Sequence, residues 1–226
     1  MTSNRLEPKM NTKKLALTIV FAAVAIALNP TLTYISLQAP YAQGLFYQIW
    51  EIPIVIAFLI ISPAAGIGVS LVNTAVLFAI FPGILPTGPA YNLAATFSMQ
   101  VGIFAAVAIG KKVTCSKNPD ANILSYAKWG AAATAMGILT RVAFMSVVLY
   151  FALPQPAPIG FGSYGFDQAV TIAYLPFAAF FNATLALYTI PIGWLIAQRV
   201  QKVLHLTIPQ EVKCPIPDKN KNSIEA

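Results

Sequence analysis

The run AYNLAATFSMQVGIFAAVAI, Ala90 to Ile109, holds 20 residues without one charged side chain and stops at Gly110-Lys111-Lys112. At 1.5 Å per residue it would span ~30 Å, the thickness of a bilayer's hydrocarbon core. A soluble helix of that length would present a polar face, and this run has none. It reads as a membrane-spanning helix that ends where two lysines meet the headgroups.

The rest of the chain reads the same way. Of 226 residues, 58% are hydrophobic and 9% charged, and mean hydropathy is +0.71. A soluble domain carries about 25% charged residues, so too few charges are present to cover a water-exposed surface. The length suits about five to seven spans. Six are read: Leu15–Leu28, Gln48–Ile61, Ala64–Phe81, Ala90–Ile109, Tyr126–Leu153 and Asp167–Val203. Asn29-Pro30, Ser62-Pro63 and the Pro/Gly run from Pro82 to Pro89 separate them. Thr31–Tyr47 is aromatic and free of Lys and Arg, and reads as a loop folding back over the bundle. Pro154–Phe166 is a second loop without a basic residue. Lys13-Lys14, the apolar run and Ala25-Ile26-Ala27 would also fit a signal peptide, but the spans that follow favour a first helix that stays in place.

Charge placement sets the orientation. All 14 Lys and Arg except Arg141 fall in the N-terminal segment, the Lys111–Lys128 region or the C-terminal end. With six spans these regions share one side, so both termini are expected in the cytoplasm. The expected architecture is an all-α membrane protein: a six-helix bundle over residues 13–204, a cytoplasmic segment at 1–12 and a tail at 205–226 that reads as disordered. The net charge of +7 is therefore that of cytoplasmic flanks, not of a nucleic-acid surface, which would interleave aromatics along a basic stripe. Cys115 and Cys214 show neither a metal spacing nor a disulfide framework and read as reduced.

Arg141 lies well inside the fifth span, where a charge costs roughly 2.5–3.5 kcal/mol. Three readings stand: a pair with Glu51, a contact to a ligand, or snorkelling to an interface. The amides Asn73, Asn92, Gln100 and Asn182 also lie in spans and must find partners between helices or in a cavity. Asn92 stands out because it opens a helix below a Pro/Gly loop. Tyr41, Phe46 and Tyr47 sit in the first loop, where aromatics would act as an interfacial belt or as a stacking surface over a flat ligand. Small residues recur at four-residue spacing at Ala23/Ala27, Ala131/Ala135 and Ser98/Gly102/Ala106, a pattern for close helix approach. No Walker A motif is present, and the one histidine, His205, lies in the tail, so no ATP hydrolysis, metal centre or catalytic triad is expected. Neither an enzyme nor a cofactor protein is expected.

Several of these features together resemble a known family. Lys14-Leu15-Ala16-Leu17-Thr18 opens the first span, and Trp50-Glu51-Ile52-Pro53 precedes an apolar run. Ser62-Pro63-Ala64-Ala65-Gly66-Ile67-Gly68-Val69, Gly88-Pro89-Ala90-Tyr91-Asn92-Leu93, Thr140-Arg141-Val142 and Pro176-Phe177 with Asn182 follow in order. The chain is similar to the substrate-binding S components of energy-coupling factor (ECF) vitamin transporters, most of all the riboflavin type. The resemblance implies a multi-pass protein of the cell membrane that binds a vitamin near its outer face and is not an enzyme. It implies a membrane-embedded T component, met by Ala23 and Ala27, and two cytoplasmic ATPase subunits as partners. Expected substrate contacts are Tyr41, Phe46, Tyr47, Asn92, Arg141 and Asn182. Two positions depart from the riboflavin pattern: Leu149 stands where members carry an asparagine, and Leu185 where they carry a lysine. The alternative function is a self-sufficient secondary transporter or channel for a small organic solute.

Overall fold

The computed structural model describes residues 12–29, 37–41, 45–80, 87–116 and 122–203. The N-terminal segment, the Pro/Gly run at 81–86 and the tail with His205 and Cys214 lie outside the described residues. Among the described residues six α-helices form: α1 Thr12–Ala27, α2 Glu51–Ile60, α3 Pro63–Ile80, α4 Gly88–Cys115, α5 Ala127–Ala152 and α6 Gln168–Val203. Helices α3 to α6 are long and apolar enough to cross a membrane. At 16 and 10 residues, α1 and α2 are shorter, about 24 and 15 Å.

The second span was expected from Gln48, yet helix begins only at Glu51. The Gln48 N–H donates to the Tyr188 hydroxyl at 3.2 Å, and that hydroxyl donates to the Gln48 carbonyl oxygen at 2.5 Å. Tyr188 thus holds the Gln48 backbone from a distant helix, ahead of the first turn of α2. Upstream, Leu37–Gln38 (β1) and Phe46–Tyr47 (β2) pair antiparallel, Leu37 opposite Tyr47 and Gln38 opposite Phe46. Irregular backbone can lie at membrane depth where protein covers it. Here the hairpin packs on α6, where Ala39, Phe181 and Leu185 form one apolar cluster.

Helix α2 is the hub. Nine of its ten residues are buried, Glu51 included, and it packs on α1, α3 and α6. Around it the neighbours run α3–α4–α5–α6, with α1 laid across α2 and α3. Ser62 and Pro63 make the α2–α3 reversal: the Ser62 hydroxyl accepts the Ala65 N–H at 3.1 Å, and proline takes the first helical position, where a missing N–H costs nothing. A Cβ at Gly66 would lie 2.6 Å from that of Phe58, so glycine is what lets α3 meet α2. Gly102 does the same for α4 and α5, where a Cβ would lie 2.5 Å from the Met136 carbonyl oxygen.

Of the three small-residue stripes, only Ser98/Gly102/Ala106 is buried inside the bundle. Ala23, Ala27, Ala131 and Ala135 are exposed. Helix α4 continues past Lys111 and Lys112 to Cys115, since lysines suit a helix C-terminus and do not break it. Cys115 is disulfide-bonded, which corrects the reading of it as reduced. The basic end is closed by Ile123 and Leu124, both buried, on a short 3-10 turn held by Asn122, whose amide donates to Gln201 at 2.9 Å.

Candidate functional site

The opposite end of the bundle gathers the polar and aromatic side chains. There the 153–167 loop caps α4, α5 and α6. Its Phe161 N–H donates to the Leu153 carbonyl at 2.9 Å, Thr87 donates its hydroxyl to the Pro158 carbonyl at 2.6 Å, and the Tyr91 hydroxyl donates to the carbonyl of Ile159. Rings of Phe161, Phe166 and Tyr174 meet in series, the first pair tilted and the second edge-on, each pair 5.6 Å apart. Beneath them Ala95, Met145, Leu149, Leu153 and Ala178 form an apolar cluster.

Beside this cap stands the hairpin. The Tyr41 ring meets Phe180 edge-on at 5.3 Å, and Tyr47 lies 5.2 Å from Phe181. The two hydroxyls are 2.6 Å apart, and that of Tyr47 reaches the Thr184 hydroxyl at 3.1 Å. Burial, and then the hydrogen bond with Tyr47, raise the Tyr41 pKa above its ordinary value. Phe46 faces outward, 38% exposed. Between hairpin and cap, Asn92 donates to the Gln48 side-chain oxygen at 2.9 Å, and Thr96 donates to the Asn92 carbonyl at 2.9 Å.

Deeper still, Arg141 pairs with Glu51. One guanidinium nitrogen donates to Oε2 at 2.5 Å and the other to Oε1 at 2.9 Å, a two-pronged ion pair in which the side chains are 2% and 0% exposed. Its Nε donates to Asn182 Oδ1 at 3.0 Å, and the Asn182 amide donates to the Ala178 carbonyl at 2.9 Å. Met99 Sδ lies 3.6 Å from Nη1. Of the three readings for Arg141, the structure has the pair with Glu51. The fork ties α2, α5 and α6 together at one depth and leaves the pair neutral as a whole.

Tyr41, Tyr47, Asn92, Arg141 and Asn182 thus come together at one end of the bundle, while Phe46 lies on its outside. Sequence reasoning missed Gln48, Thr184 and Tyr188, which hold the hairpin and Asn92. Thr184 and Tyr188 are four residues apart and so share a face of α6, a signal that could have singled them out. Leu149 and Leu185 both pack in apolar clusters. The arrangement offers amides, hydroxyls and rings, a set suited to holding a flat, partly apolar molecule. Among the described residues, no three His, Cys, Asp or Glu gather into a metal-binding group.

No family model and no curated protein matches the chain. Among solved structures it is similar to the S component of a bacterial ECF transporter, with a TM-score of 0.63 and 19% identity over 86% of this chain and 99% of that one. The two share a fold.

Proposed function

We propose that the chain is the membrane-embedded substrate-binding subunit of an ECF-type importer, taking up a vitamin, with riboflavin the leading candidate. The observation that carries this reading is a fold shared with an S component over 99% of that chain. In this reading the bundle is a multi-pass protein of the cell membrane with six membrane-embedded helices, both termini in the cytoplasm and the capped end outside. The vitamin lies between hairpin, cap and α4, with Tyr41, Tyr47 and Asn92 along it and Phe46 at the rim. Arg141, which bonds both Glu51 and Asn182, lies with Asn182 beneath the vitamin. Riboflavin is neutral, flat and rich in hydrogen-bonding edges, which agrees with a site whose deep charges cancel. The subunit carries no catalysis of its own. A transmembrane T component packs on the exposed Ala23 and Ala27 of α1, and two ATPase subunits drive transport.

Binding by the purified protein tests the ligand. Riboflavin fluorescence should be quenched at sub-micromolar protein, and its absence would remove riboflavin. Uptake tests the class. In proteoliposomes, riboflavin should enter only when T component, ATPases and ATP are present. Uptake by this chain alone without ATP would instead make it a self-sufficient transporter.

A further inference from the structure

A column of polar side chains between α3 and α4 is incomplete. On α3, Gly66, Ser70 and Asn73 share a buried face. On α4, Thr96 and Gln100 stand one turn apart, both buried. The Gln100 amide donates to the Ser70 hydroxyl at 2.8 Å. Only seven residues link Ile80 to Gly88, so the helices run antiparallel, and that bond sets their register. Asn73 then lies about 4.5 Å nearer the capped end than Ser70, level with Thr96. The column continues through Thr96 and Asn92 to Gln48 at the hairpin.

Asn73 is 1% exposed, yet neither its Nδ2 nor its Oδ1 has a partner, and Gln100 Oε1 has none either. A buried polar atom left unpaired costs ~1–3 kcal/mol, and lipid cannot supply the missing bond. Helix-to-helix glue would show a bond across the interface. Ser70 and Gln100 make one, and Asn73 does not.

We propose that Asn73 and Gln100 form a recognition floor for the amide edge of an uncharged ligand, a ring in which N–H and C=O are adjacent, as in a lactam, ureide or imide. This rests on the binding-subunit reading. A carboxamide donates and accepts along one edge, so it pairs with such a ring by two hydrogen bonds side by side, and where the ring is a ureide Gln100 Oε1 accepts its second N–H. Charged ligands find no counter-ion here. Among the described residues the charges away from the basic end are Glu51 and Arg141, locked to each other, and Asp167, whose carboxylate caps the exposed start of α6.

Asn73→Leu separates ligand recognition from packing. In detergent without added ligand, it should raise the thermal midpoint, because an unpaired amide is replaced by an apolar group of similar size. Riboflavin, which carries an imide edge, should bind this variant at least about tenfold more weakly than wild type, the worth of one lost hydrogen-bond pair. Riboflavin methylated on the imide nitrogen should bind both proteins alike. If Asn73→Leu lowers the midpoint or fails to fold, and Asn73→Ala binds riboflavin as wild type does, Asn73 is structural and the proposal is overturned. Mass spectrometry of compounds co-purified from native membranes separates this from the riboflavin assignment. A retained lactam or ureide that Asn73→Leu loses would support the floor even if riboflavin does not bind. A retained carboxylate or ammonium compound would overturn the floor and leave the binding subunit intact. With neither riboflavin binding nor any retained compound, both fall.

Discussion

Arg141 shows how one residue can be found by its cost while its partner stays open. Its position inside an apolar run demanded a partner, and the partner is Glu51, 90 positions earlier in the chain. Removing one side of a buried pair strands the other charge, at ~3–5 kcal/mol, whereas replacing both by apolar groups is often neutral. Arg141→Met should therefore destabilise the protein by that amount in thermal unfolding, and adding Glu51→Leu should recover most of the loss. A single variant as stable as wild type would show that the fork is not structural. Nothing in the sequence distinguished this pairing from a ligand contact. Both need a charge in the same place, and only the orientation of the guanidinium separates them.

At the scale of elements, the long helices were legible because a bilayer demands the same thing of each: about 20 apolar residues with their backbone bonded internally. The expected fifth and sixth spans differ from α5 and α6 by one residue at most at each end. The second span was misjudged at its start because apolar runs do not tell helix from extended chain when a distant tyrosine holds the backbone. The tight α2–α3 reversal depends on Gly66. Gly66→Ala would drive a methyl into Phe58 and should cost ~1–3 kcal/mol, readable as a lower thermal midpoint in detergent. Ala23 and Ala27 make the opposite case, since they are exposed on α1. If the T component docks there, Ala23→Trp should abolish co-purification with it and leave ligand binding intact. Loss of both would instead place α1 in the ligand site.

For the whole molecule, the basic residues forecast which end faces the cytoplasm. In a Cys115→Ser/Cys214→Ser background, a cysteine replacing the exposed Ser163 should react with an impermeant maleimide on intact cells, and one replacing Lys112 should react only after lysis. The reverse pattern would invert the molecule. The sequence by itself determined that this is a helical membrane protein, roughly where its long helices lie, and which of its charges is out of place. Those are properties of composition along one dimension, set by the cost of moving each residue from water to lipid. Only the tertiary structure decided that α2 starts late, that Arg141 and Glu51 neutralise each other, and that Asn73 is buried without a partner. A hydrogen bond depends on which atoms meet across helices, and apolar residues that tolerate many packings leave that choice open. The stretch from Ala90 to Ile109 holds both lessons: its length marked a span, while Asn92, Thr96 and Gln100 acquired their meaning from what the fold set against them.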